Sequence, residues 1–64
     1  MKLSKEKIDL ARANCCMTVS ELAKAYGVSR ARMSGILSQR EVTVVCAGRL
    51  AKALKVDVTE IIED

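Results

Sequence analysis

The sequence contains no histidine, no proline, no phenylalanine and no tryptophan, and its single tyrosine is Tyr26. Without large aromatic rings the core must be assembled from Leu, Ile, Val, Ala and Met, which suits close packing of helix on helix. The lack of proline and the wide separation of the three glycines, Gly27, Gly35 and Gly48, favour short helices joined by tight turns. With no histidine, catalysis would fall to cysteines or carboxylates. No activated constellation of either is visible, so an enzyme is not expected. No run approaches the roughly twenty apolar residues that span a bilayer. Lys2, Lys5 and Lys7 lie near the start, but charged residues interrupt the stretch after them and leave no signal-peptide hydrophobic region. The expectation is a cytoplasmic protein. The cysteines Cys15, Cys16 and Cys46 are an odd number for a disulfide framework, and without a fourth ligand they make a poor zinc site. They read as small residues filling helix-packing space, with a thiol redox switch as the alternative. No metal or cofactor is expected.

What is present is enough for one small domain over residues 1–64: 64 residues, 50% of them hydrophobic. The net charge of +3 conceals an asymmetry. Residues 1–55 hold all eleven basic side chains and only Glu6, Asp9, Glu21 and Glu41 as acids, whereas residues 56–64 hold four acids, Asp57, Glu60, Glu63 and Asp64. A basic body with an acidic tip suits a face-specific interaction with a polyanion. Ordinary surface charge on a soluble helical protein is the other reading.

Five helices are expected and no strand. Ser4 can cap the first, in which Ile8, Ala11 and Cys15 share a face with Leu10 beside them, while Lys7, Asp9 and Arg12 are placed for solvent. Thr18-Val19-Ser20-Glu21 is a capping box, in which hydroxyl and carboxylate each satisfy an orphan N–H at the helix start. The short helix it opens turns Leu22, Ala23 and Tyr26 inward and stops at Gly27, where a left-handed residue is needed. Ser29 can cap a third helix, to about Ser38, with Met33, Ile36 and Leu37 as its buried stripe. Gly35 costs about 1 kcal/mol inside that helix relative to Ala, which a close approach to another surface or a weak helix would explain. The run Val42-Thr43-Val44-Val45 is rich enough in β-branched residues for a strand, but it has no second strand to pair with. Thr43 can cap a helix on which Val44, Ala47, Leu50, Ala51 and Leu54 recur at helical spacing. A last short helix is expected from about Val58 to Glu63, with Ile61 and Ile62 packing back and Asp57 near its start.

The constellation with functional content is Ala23, Gly27, Met33 and Ile36, spaced by four, six and three. A small residue at 23 lets two helices approach, Gly27 makes the turn, and Met33 and Ile36 bury the back of the second helix. Helices joined so tightly cross steeply, so that one can brace on a DNA backbone while the other enters the major groove. The segment TVSELAKAYGVSRARMSGIL, Thr18 to Leu37, resembles the helix-turn-helix of the phage-repressor and Cro family, also called the XRE family. Ile8, Ala11 and Arg12 are similar to its first helix and GRLAKALKVDVTEII, Gly48 to Ile62, to its last two. One departure is Gln39, where members often carry Gly.

The resemblance implies an all-α, five-helix lambda-repressor-like domain that binds double-stranded DNA sequence-specifically as a transcriptional regulator, a repressor, usually as a homodimer on a two-fold symmetric operator. It places Arg30, Ala31, Ser34 and Gly35 against base edges. Arg30 leads, because a guanidinium can fork onto guanine O6 and N7. Thr18, Val19 and Ser20 at the start of the second helix, together with Ser29, Arg32 and Arg40, are the phosphate candidates. Arg49, Lys52 and Lys55 read as a solvated face, Tyr26 as core edge, and Met17 and Met33 as core filler. A dimer surface around the last helix is implied by the resemblance alone. The alternative function is a helical protein-interaction module, such as an antitoxin or a mobile-element accessory protein.

Overall fold

In the computed structural model, which describes residues 1–63, four α-helices succeed one another: α1 Lys5–Cys15, α2 Val19–Tyr26, α3 Arg30–Ser38 and α4 Val44–Leu54. A 3-10 turn, Val58–Glu60, closes the described chain. Asp64, the last acid of the expected acidic tip, lies outside the described residues. Each α-helix starts at a hydroxyl. The side chains of Ser4, Thr18, Ser29 and Thr43 accept from the backbone N–H three residues on, at 3.3, 3.1, 3.2 and 3.1 Å. Such caps contribute about 1 kcal/mol each. Thr18 also donates its own N–H to the Glu21 carboxylate at 3.0 Å, completing the capping box. α1, α2 and α4 stop at left-handed residues, Cys16, Gly27 and Lys55. α3 instead leaves through Gln39 in extended conformation, with φ −77° and ψ 133°. No glycine is required there, which accounts for Gln39 at a position where Gly is common.

α4 is the central post. Its Ala47, Leu50, Ala51 and Leu54 are buried against Leu22 and Ala23 of α2, Met33 of α3, Ile8 and Ala11 of α1, and Ile61. α2 packs on both α3 and α4, and α1 packs on α4 and the terminal turn. Alanine on facing surfaces lets these helices approach closely without aromatic filler. Among the described residues no helix is long and apolar enough to cross a membrane.

Several expectations are corrected. The fifth helix is only a single 3-10 turn: Asp57 caps it by accepting from the Thr59 N–H at 3.0 Å, and the chain then turns Ile61 into the core. The structure also adds pairing at the N-terminus, for which the sequence predicts no element. Lys2 and Leu3 run extended and pair antiparallel with Glu41 and Ile62. Leu3 donates to the Arg40 carbonyl and Ser4 to the Ile61 carbonyl, both at 2.8 Å, and Glu63 donates to Lys2 at 2.9 Å. This strap ties the connector after α3 to the end of the domain. Finally, Val44 is 68% exposed although its spacing put it in the buried stripe, because the first turn of α4 projects beyond the core and Val42 fills the place instead. Leu10 is likewise exposed. Lys7 and Arg12 are half-buried where solvent was expected, with Lys7 Nζ donating to the Ile62 carbonyl at 3.1 Å.

Candidate nucleic-acid interface

The turn between α2 and α3 is built from three residues, Gly27, Val28 and Ser29. Gly27 takes φ 98°, and the N–H groups of Gly27 and Val28 both donate to the Ala23 carbonyl, at 2.8 and 3.0 Å. Ala23 is buried beneath the turn, where a larger side chain would push the helices apart. A third element braces this corner. Arg49 of α4 sets its guanidinium over the Tyr26 ring and donates Nη2 to the Tyr26 carbonyl at 3.0 Å. Tyr26 in turn donates its hydroxyl to Cys46 Sγ at 3.3 Å. That hydrogen bond, and secondarily burial, hold the phenol above its ordinary value of 10.0, against the lowering influence of Arg49 and Arg32. Arg49 is therefore a structural strut rather than one of the solvated cations Lys52 and Lys55.

With the corner fixed, α3 presents two faces. Met33 is buried and Ile36 and Leu37 are half-buried, as their spacing predicts. Arg30, Ala31, Ser34 and Gly35 are all exposed and, at i, i+1, i+4 and i+5, form one outward strip. The Arg30 guanidinium has no hydrogen bond or ion pair among the described residues. A Cβ built on Gly35 meets nothing within 4 Å, so the fold itself does not require glycine there.

A groove runs along each side of this strip. On one side, Ser34 and Ser38 of α3 face Lys5 and Arg12 of α1 and Val19 of α2 across about 190 Å³. Arg12 is held there by Asp9 at 3.1 Å, with its Nε buried and unpartnered among the described residues. At the start of α2 the Thr18 hydroxyl and carbonyl accept from the N–H groups of Glu21 and Leu22, which leaves those of Val19 and Ser20 without an intrahelical partner. On the other side, Arg32, Gly35, Ile36 and Gln39 face Thr43, Val45 and Arg49 across about 460 Å³. Arg32 is thus separated from Ser34 by the width of the helix. Arg40 is exposed, its backbone fixed because its carbonyl accepts from Leu3. Ser29 is exposed, and its hydroxyl oxygen is engaged as the cap of α3.

Two helices at a three-residue corner, the second carrying an uncommitted exposed strip between two cationic walls, form the geometry of a DNA-reading module. A family model, the Cro/C1-type HTH DNA-binding domain, matches residues 6–64. The chain belongs to this family. No curated protein and no solved structure matches it. As a Cro/C1-type domain it is an all-helical, double-stranded-DNA-binding protein of the kind that regulates transcription. Cys15 donates to the Leu54 carbonyl at 3.1 Å and Cys46 accepts from Tyr26, so both fill packing space beside the helices. Cys16 departs from that expectation: it is exposed and adopts the left-handed conformation that ends α1.

Sequence reasoning missed two features here, the Arg49–Tyr26 brace and the N-terminal strap. The brace spans 23 residues and leaves no local spacing to detect. A two-residue strap has no periodicity at all.

Proposed function

We propose that the protein is a transcriptional repressor that reads a two-fold symmetric operator as a homodimer, with α3 in the major groove of each half-site. The observation that carries this reading is the outward strip of α3: Arg30, Ala31, Ser34 and Gly35 are exposed together, and Arg30 lacks an intramolecular partner among the described residues. Arg30 bonds a guanine in a bidentate fork, Ala31 touches a thymine methyl, and Ser34 bonds either base type. Gly35 lets the duplex come close to the helix.

The flanking walls hold the two backbones. The free N–H groups of Val19 and Ser20, with the Thr18 hydroxyl, receive one phosphate strand at a helix N-terminus. Arg32 and Arg40 add guanidinium contacts to phosphate, and Ser29 adds a hydroxyl at the start of α3. These contacts set register while the strip chooses sequence. Repression needs nothing further from the chain, because occupancy of a site overlapping a promoter excludes the polymerase.

The test is selection from a randomised duplex pool, with anisotropy titrations in graded salt on the enriched and an unenriched duplex. A palindromic consensus with half-sites about 10 bp apart, centre to centre, is expected. So is a log–log salt slope of about −0.9 per phosphate contacted. If nothing is enriched and binding is weak even at low salt, the helix-turn-helix serves as a scaffold for a protein partner.

A further inference from the structure

Two copies reading successive turns of one duplex face sit roughly 34–36 Å apart. The Cα trace of this chain is 27 Å along its longest axis, and helix side chains add roughly 3 Å or more at each end. Neighbouring copies are therefore within contact reach. A two-fold contact sets one patch against itself, so the surface must be self-complementary and must flank α3. The last turn fails the first need: its exposed side chains include Asp57 and Glu60, with Glu63 close by, and acids would face acids.

The first two turns of α4 meet both. From Val42 to Gly48 no side chain is charged, in a chain whose composition is 30% charged. Val44 and Val45 are 68% and 71% exposed, and Val45 lines the groove beside Gly35 and Ile36 of α3. Among the described residues, the other large exposed apolar side chain on a helix is Leu10, and it lies in a groove that no α3 residue lines. Gly48 lies one turn after Val44 on the same helix face. It is exposed, and a Cβ built on it meets nothing within 4 Å, so nothing inside the chain calls for glycine at a helix-interior position that disfavours it.

From these observations, and resting on the DNA-reading function proposed above, we infer that Val44, Val45 and Gly48 form the seam through which a second copy of this chain docks across the operator's two-fold axis. Gly48 lets the two α4 helices approach backbone to backbone, and the valines cover one another. Lys52, one turn further on, confines the seam to the first two turns. A standard interface buries about 800 Å² per partner. That is nearly a fifth of the 4339 Å² surface of this chain, far more than two valines supply. The free protein is consequently a monomer, and the dimer assembles on DNA.

The experiment compares the wild type, the V44S/V45S double variant and G48Q on the duplex enriched from the randomised pool, as the full palindrome and as a single half-site. All three proteins should bind the half-site alike, with the same helical circular dichroism. On the palindrome the wild type should bind cooperatively, and both variants should lose cooperativity with an affinity drop of about tenfold, an ordinary size for coupling between bound copies. Palindrome binding that stays as cooperative in both variants as in the wild type overturns the seam. Wild-type protein that binds neither duplex overturns the DNA-reading function itself, a result distinct from losing cooperativity alone.

Discussion

Arg49 and Tyr26 form a two-point contact: the guanidinium carbon lies 4.4 Å from the ring centroid, and Nη2 donates to the Tyr26 carbonyl at 3.0 Å. Tyr26 is the last residue of α2 and Arg49 lies mid-way along α4, so the pair fixes the corner that aims α3 to the central helix. Arg49→Ala should cost about 1 kcal/mol, the sum of an exposed cation–π contact and one hydrogen bond to a helix-end carbonyl. Arg49→Lys should recover less than half, because an ammonium cannot stack and fork together. Urea unfolding checks both, with the midpoint moving and the slope unchanged.

Gly27 sits at φ 98°, and the nearest atom to a Cβ placed there is Arg49 Nη2 at 3.9 Å. Space is therefore not the constraint, and the cost of a side chain is conformational. Gly27→Ala should destabilise the domain by about 1–2 kcal/mol, and Gly27→Asn by less, since Asn tolerates the left-handed region. Equal losses for Ala and Asn in chemical denaturation would show that steric contact dominates instead.

Much of this architecture was legible because its causes are local. A hydroxyl at residues 4, 18, 29 or 43 caps a helix by reaching three residues along the chain, and Gly27 ends α2 through its own backbone angle. Residue type and spacing carry both signals. Spacing likewise turns Met33, Ile36 and Leu37 inward and leaves the rest of α3, Arg32 included, outside; the narrower strip of Arg30, Ala31, Ser34 and Gly35 came from the resemblance. What escaped depends on distant partners. Arg49 shares its spacing with Lys52 and Lys55 and differs from them only in having Tyr26 opposite. Val44 has the right period for the core but sits beyond its edge, and periodicity cannot say where a core stops. The strap of Lys2 and Leu3 exists because the connector and the chain end both pass beside it.

Gly35 offers a substitution that should separate stability from binding. The position is helical, exposed and unobstructed, so Gly35→Ala should stabilise the fold by about 0.5–1 kcal/mol. That amounts to a rise of several degrees in Tm, at about 4–8 °C per kcal/mol for a domain of this size. If base edges approach α3 at this point, the same variant should bind the enriched duplex less tightly. A more stable protein with undiminished affinity would move Gly35 outside the contact strip.

Acid sensitivity should trace to the terminal turn. Hydrogen bonds from the Thr59 backbone N–H, and then from its hydroxyl, hold the Asp57 carboxyl below its ordinary value of 3.8. A depressed carboxyl stabilises the fold above its unfolded-state value and loses that contribution as pH falls through the folded-state value. Asp57→Asn should therefore be less stable than wild type at neutral pH, with the gap closing below pH 3.8. The chain has no histidine, the one side chain whose ordinary value lies between pH 5 and 8. Wild-type stability should be nearly flat across that interval, and thermal unfolding at stepped pH reads both effects.

Arg30 and Arg40 should part company when each is replaced. Neither guanidinium has a partner among the described residues, so Arg30→Ala and Arg40→Ala should both leave Tm within about a degree, as surface changes usually do. On the enriched duplex Arg30→Ala should cost about 1–3 kcal/mol and relax the preference at one base pair per half-site, because a fork onto guanine is lost. Arg40→Ala should weaken binding to every sequence alike and reduce the salt slope by about 1 for each chain bound, the signature of a lost phosphate contact. Titrating both variants against a panel of single-base substitutions distinguishes the two roles. If Arg30→Ala weakens all sequences equally, Arg30 holds the backbone and the reading of bases begins elsewhere on α3. If Arg40→Ala changes which base is preferred, the connector reaches into the groove.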